Sequence, residues 1–341
     1  MQRIILNANL KEVYILASIR EVAKRAGVAA CTVSRVMNGT ASVAPETRKK
    51  IEYAMRELDY IPNELARGMF RQRAGIVAML VPSIRHPFFA SLADCIENQL
   101  FFRGYKLMLC STSGETERER EYLGFLKSNI VDGIIMAVSS LDREEYAALE
   151  KPVVMLDYYV NDSIPLVTAD HRMGGKLAAE EFIRNGCRLV LHLCDEEKAD
   201  RVVSFESHLE LERILGEHGI ESRRISISWN SPDMEVYTEE ARRLLREYPE
   251  ADGVMAADMV AAAFVNAALE SGKKVPGEFC AVAFDGTYAA DMNGRELTSV
   301  VQPVEKMAEK VVEIMARLLE KQRPKETDVR IPVTLRYGKT T

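Results

Sequence analysis

An all-α helix-turn-helix head followed by an α/β body of two doubly wound parallel-sheet lobes is the architecture that this sequence predicts. Three observations predict it. Residues 18–58 carry the start and stop signals of three short helices, and from residue 74 onward apolar strand-like runs alternate with helical periodicity in two series. Charge also divides between the two parts. The 341-residue chain has a formal net charge of −6, yet residues 18–73 hold 11 Lys and Arg against 6 Asp and Glu, which leaves the rest strongly acidic. A basic head on an acidic body suits a nucleic-acid module joined to a domain with another partner, because phosphate neutralisation supplies most non-specific affinity. A solvated helix face would give the same local charge.

Residues 1–17 are apolar, but Lys11 and Glu12 interrupt the run that a signal peptide needs. They are expected to be a disordered leader or the product of a start codon placed too early. The head proper is expected over 18–62. Ser18-Ile19-Arg20-Glu21 forms a capping box, and the helix it opens stops at Gly27, which suits the left-handed position beyond a helix end. A second helix over about 30–37 turns Val33 and Val36 inward and ends at Asn38-Gly39. A third starts at Pro45, a favoured first helical residue, and runs to about Leu58. Helix, Gly-containing turn, helix is the layout in which the second helix enters the major groove. Segment 63–73 reads as a hinge: Asn63 caps one or two helical turns that are too short to hold alone.

The body is expected over 74–341. Its first series is GIVAMLV, a helix over 87–103, YKLMLCS, a helix over 116–127, VDGIIMAV, a short helix and PVVMLD. The second is PLVTAD, helix 171–185, CRLVLHLC, helix 200–217, ISISW, helix 234–247, DGVMAA, helix 259–271 and FCAVAF. Such alternation builds parallel sheets covered on both faces, with ligands at the carboxyl ends of the strands. Polar residues there are the binding candidates: Asp157 after PVVML, Asp285 after FCAVAF, Trp229 ending ISISW, and Arg201 opening a helix in RVVSF. Each Asp equally suits a helix cap, and Trp229 equally suits the core.

Several function classes are excluded or disfavoured. No apolar run approaches the roughly 20 residues needed to cross a bilayer. Six scattered cysteines show neither a disulfide framework nor a zinc pattern, so a reducing cytoplasm is expected, with no metal and no cofactor. An enzyme is disfavoured: Gly174-Gly175-Lys176 is no Walker loop, HExxH and GxSxG do not occur, and the five histidines lack ligand spacing.

The stretch from Ile19 to Met69, with AGV, TVSRVMN, TR before helix three and YIPNELAR in order and spacing, resembles the DNA-binding head of the LacI/GalR family of bacterial transcriptional repressors, and the likeness continues through nearly the whole chain. The resemblance implies a cytoplasmic, effector-controlled repressor binding double-stranded operator DNA as a homodimer, or a tetramer, with a body like periplasmic sugar-binding proteins. It places Ala30 and Cys31 as a base-reading pair and Arg35 over a guanine edge. Thr32, Ser34 and Asn38 suit phosphates. Asn63, Arg67 and Met69 then belong to a hinge that folds on DNA, with Met69 as a wedge between base pairs. Arg201, from the family's Arg-x-x-Gly-Phe with Ser204 in place of Gly, grips the effector beside Asp157, Asp285 and Gln302. Carboxylates and amides with one aromatic face suit a polyol or sugar, while Arg with Asp also suits a purine or a carboxylate. Two departures stand out. Ala29 and Ala44 replace usual capping serines, and Ala256-Ala257-Asp258 lacks the amide that often binds sugar hydroxyls. A sugar-binding transport receptor is the alternative reading; it would need an export signal and no head.

Overall fold

The computed structural model describes residues 17–38, 43–60, 73–137, 140–149, 151–194, 202–227, 234–294 and 296–341. It divides into two compact units, Met1–Ala74 and Gly75–Thr341. The expected leader and hinge lie almost wholly outside the described residues.

In the first unit, α1 (Ile19–Ala26), α2 (Ala30–Asn38) and α3 (Pro45–Glu57) enclose Val22, Ala23, Val33, Val36, Ile51 and Ala54. The capping box is present: Ser18 Oγ accepts the Glu21 N–H at 3.3 Å, and the Glu21 carboxylate accepts the Ser18 N–H at 2.6 Å. Gly27 ends α1 at φ +66°, its N–H donating to the carbonyls of Ala23 and Lys24. Ala44 offers α3 no side-chain cap, and α2 runs one residue further than expected, to Asn38.

The second unit holds two six-stranded sheets. The first contains β1 (Ile76–Val81), β2 (Lys106–Ser111), β3 (Gly133–Met136), β4 (Val153–Leu156), β5 (Leu166–Ala169) and a late strand, β11 (Asp328–Ile331), in the order β11-β5-β4-β3-β1-β2. All its pairings are parallel. Helices α4 (Pro87–Phe101), α5 (Thr116–Lys127) and α6 (Arg143–Ala147) connect the early strands. The second sheet contains β6 (Leu189–Cys194), β7 (Glu221–Ser226), β8 (Gly253–Ala257), β9 (Cys280–Asp285), β10 (Thr298–Val301) and β12 (Thr334–Arg336), in the order β12-β10-β9-β8-β6-β7. Only β12 pairs antiparallel. Its helices are α7 (His171–Arg184), α8 (Glu206–Glu217), α9 (Met234–Glu247), α10 (Asp258–Glu270) and α11 (Val304–Leu319), the last leading back to β11 in the first sheet.

Central strands such as β1 and β6 are buried almost end to end, as strands covered on both faces must be. One apolar core joins the two sheets: Val77 and Met79 on β1 belong to the same cluster as Val282 on β9, Val300 on β10 and Met307 to Met315 on α11. Close approach of α7 to α8 depends on Gly175, where an added Cβ would stand 2.1 Å from the Ser207 carbonyl oxygen. Among the described residues no helix is long and apolar enough to cross a membrane.

Several expected elements are corrected. The strand placed at ISISW begins earlier, at Glu221, and ends at Ser226; as an edge strand it keeps Glu221 and Arg223 exposed, and so lacks an apolar signature. Helix 200–217 begins only at Glu206, after a 3-10 turn over Val203–Phe205. PLVTAD, expected to open the second series, joins the first sheet as β5. The expected series stops before β10: β10, β11 and β12 are only three or four residues long, but the 16-residue α11, with its buried helical stripe, is missing from it too.

Candidate functional site

On α2, Val33 and Val36 face the core, while Cys31 and Arg35 are exposed and Ala30, Thr32 and Ser34 are half-buried. Of the residues expected to meet DNA, Cys31 and Arg35 are exposed, whereas Ala30 packs against the core of the head. Asn38 ends the helix; Asn63, Arg67 and Met69 lie outside the described residues.

The body carries a cavity of about 200 Å³ at the carboxyl ends of strands from both sheets. Asp157 follows β4, Cys194 ends β6, Ala257 ends β8, Asp285 ends β9, and Gln302 follows β10; all line it. Three of the five residues expected to bind an effector are thus brought together. The other two, Arg201 and Trp229, lie outside the described residues.

Asp157 and Asp285 both leave their strands at positive φ, +54° and +114°. That backbone is unusual for a residue with a side chain, Asp tolerates it better than most, and such strain gathers at binding sites. One oxygen of Asp157 accepts from the Thr168 hydroxyl and from His171 Nε2, the latter at 3.0 Å. One oxygen of Asp285 accepts from Gln302 Nε2 at 2.7 Å. Among the described residues the second oxygen of each carboxylate takes no hydrogen bond, and two buried atoms, His171 Nδ1 and Gln302 Oε1, have no partner. Buried polar groups are nearly always paired, so the two unpaired buried atoms on residues lining this cavity mark a place for polar ligand atoms.

Burial raises the Asp285 carboxyl well above the ordinary carboxylate range, and the charges of Asp258 and Asp157 add to the rise. Asp258, the first residue of α10, is pushed up to about 6 by burial despite three hydrogen bonds from Thr287 and Gly286. The described lining includes no Lys or Arg.

Sequence reasoning missed the rings. His86, Phe89, His171, Phe205, His208 and Phe284 all line the cavity, and His171 stacks on Phe284 with centroids 5.7 Å apart and planes 17° apart. In the sequence the histidines suggest only metal ligands, a role their spacing does not suit. A signal existed for two residues: Phe284 immediately precedes Asp285, and His171 opens the helix after β5. Among the described residues no group of three or more His, Cys, Asp or Glu is gathered as a metal site would require.

Comparison with known proteins gives concordant matches. Bacterial regulatory proteins of the lacI family match residues 18–63, and a periplasmic binding protein-like domain matches residues 179–341. The ribose operon repressor of Halalkalibacterium halodurans is 34% identical over 331 residues, covering 96% of this chain and 97% of its own. The sucrose operon repressor of Lactococcus lactis subsp. lactis is 33% identical over 327 residues, covering 95% and 99%. Among solved structures, the Lac repressor dimer bound to operator and the anti-inducer ONPF shares the fold, with a TM-score of 0.81 at 23% identity over 96% of this chain and 99% of that one.

Proposed function

Because this chain belongs to the lacI family of bacterial regulatory proteins, we propose that its cleft takes a neutral sugar of monosaccharide size and that this sugar controls the grip of its head on operator DNA. It is a DNA-binding transcriptional regulator rather than a transport receptor. One observation carries the sugar reading: Asp157 and Asp285, each with a carboxylate oxygen that takes no hydrogen bond among the described residues, line a single cavity beside a stacked pair of rings. Sugar hydroxyls supply the hydrogens those oxygens require, and a ring face receives the apolar side of a pyranose or furanose. At about 200 Å³ the cavity falls below the range that holds drug-sized ligands, which favours a monosaccharide. The similar repressors are named for ribose and sucrose operons.

In this reading Asp157, Asp285 and Gln302 hold the sugar, joined by Arg201 and Trp229. Arg35 reads a base, Ala30 and Cys31 sense thymine methyls or groove shape, and Thr32, Ser34 and Asn38 meet phosphates. Asn63, Arg67 and Met69 engage the minor groove. The protein works in the cytoplasm as a homodimer. Exposed Phe101 and Phe102 at the end of α4, with Leu109 on edge strand β2, offer the apolar surface that a second copy would cover.

The test is thermal unfolding of the body with D-ribose, other neutral monosaccharides, sucrose, ribose 5-phosphate and hypoxanthine. A ligand at 100 times its Kd stabilises by about 2.7 kcal/mol. A shift with a neutral monosaccharide is expected; a shift given only by the phosphate or the purine overturns the reading.

A further inference from the structure

Four side chains run in single file outward from the cleft. His208 on α8 lines the cavity, and its Nδ1 lies 3.1 Å from Nδ1 of His192 on β6. The two rings stack, with centroids 5.3 Å apart. On the far side, His192 Nε2 stands 3.2 Å from Glu212 Oε1, a contact bent away from the ideal hydrogen-bond direction. Glu212 is closed by Arg224 on β7, whose Nε donates to it at 2.9 Å. His192 is fully buried, whereas Glu212 and Arg224 are partly exposed.

We propose that this file fixes the tautomer of His208, leaving Nε2 as a bare lone pair in the cleft, and that His208 is a specificity-determining residue accepting a hydroxyl hydrogen from the ligand. Two facing ring nitrogens share one proton, and the outer end of the file decides which nitrogen carries it. A carboxylate only accepts, so in the neutral His192 ring the hydrogen sits on Nε2, facing Glu212. Glu212 already has the Arg224 guanidinium as its cation. His192 Nδ1 is then the acceptor and His208 Nδ1 the donor. The opposite assignment turns a lone pair of His192 against a carboxylate oxygen. Nothing among the described residues takes Nε2 of His208.

Burial, with His192 and Arg224 beside it, pushes the His208 ring down to about 3, so it stays neutral at physiological pH. The cleft thereby gains a third acceptor beside the open oxygens of Asp157 and Asp285. A hydroxyl satisfies it, whereas a fully ionised phosphate or carboxylate adds a further acceptor against it. The ligand class rests on the sugar reading above; the tautomer does not.

Two measurements on the full chain at pH 7.5 test this. The first is nitrogen-15 NMR of labelled histidine: His208 Nε2 is expected to give the shift of an unprotonated nitrogen, and Glu212→Gln, which can donate as well as accept, is expected to mix the tautomers. The second is calorimetric titration with D-ribose and with ribose 5-phosphate. His208→Phe is expected to weaken D-ribose about three- to tenfold, the loss of one neutral hydrogen bond, with partial recovery in His208→Gln through its amide oxygen. A protonated Nε2 in the wild type overturns the proposal whatever binds, as does D-ribose affinity unchanged in both His208→Phe and Glu212→Gln. An unprotonated Nε2 in a protein that binds no neutral sugar upholds the fixed acceptor and overturns the sugar reading instead.

Discussion

Asp258 and Thr287 are tied by two hydrogen bonds: the carboxylate accepts the Thr287 backbone N–H at 2.7 Å and its hydroxyl at 2.6 Å. A third, from the Gly286 N–H at 3.1 Å, completes the hold. Asp258 does not line the cleft. It fixes the turn directly after Asp285, whose φ of +114° needs such support.

Asp258→Asn should therefore loosen this turn, at a cost of about 1–3 kcal/mol at pH 7.5, because an amide cannot accept all three donors. The pH dependence has a definite sign. The folded value of about 6 lies above the ordinary 3.8, so the wild-type group contributes stability in full below 3.8 and loses it as pH rises through about 6. The deficit of the Asn variant should widen between pH 7.5 and pH 4.5, by about 2 kcal/mol. Urea unfolding at both values checks it; a constant deficit contradicts the assignment.

His86 gives the opposite slope. Burial lowers its ring from 6.5 to about 4, so the folded state resists protonation that the unfolded chain accepts. Wild-type stability should fall as pH drops below 6.5, with about 2 kcal/mol lost through this residue at pH 5. His86→Phe should recover that much of the difference between unfolding free energies at pH 7.5 and pH 5, whatever its effect at either pH alone.

In the head, one helix start is capped and another is bare. Ser18→Ala should lower stability and Ala44→Ser should raise it, each by about 1 kcal/mol, read from thermal unfolding of the head within the full chain. Equal midpoints for the Ala44→Ser variant and the wild type would show that α3 satisfies its first N–H groups in another way.

Arg35 is exposed on α2. Arg35→Ala should abolish sequence preference while leaving weak, salt-sensitive binding, since a bidentate Arg–guanine pair is worth roughly 1–3 kcal/mol of discrimination and phosphate contacts survive it. Footprinting over a salt series decides this; a footprint of unchanged specificity speaks against base reading at this position.

What the sequence made legible was local. Ser18, Glu21 and Gly27 act within one helix, so their roles follow from spacing alone. Asp157 and Asp285 could be found because each directly follows an apolar run, and parallel topology brings strand ends together. His192 and His208 could not be paired beforehand: their contact requires β6 to lie beside α8, a tertiary fact that neither residue's neighbours announce. In Ala256-Ala257-Asp258 the sequence draws attention to the amide that Ala257 lacks and not to Asp258, whose partners, Gly286 and Thr287, lie 28 and 29 residues away. β7 escaped because edge strands can carry charge where central strands cannot.

The strand order also sets a timetable for synthesis. β5 waits for β11 as its outer neighbour, and β10 waits for β12, yet both late strands are translated after all the others. At bacterial elongation speeds of the order of 5–20 residues per second, β5 stands with an open edge for roughly 8 to 30 s after it leaves the ribosome. A message cut short before residue 328 would release a chain with two unfinished sheets, each offering bare backbone to aggregation and proteolysis. Truncated products of this gene should be cleared from the cell instead of lingering as regulators that bind DNA but no longer answer to a ligand.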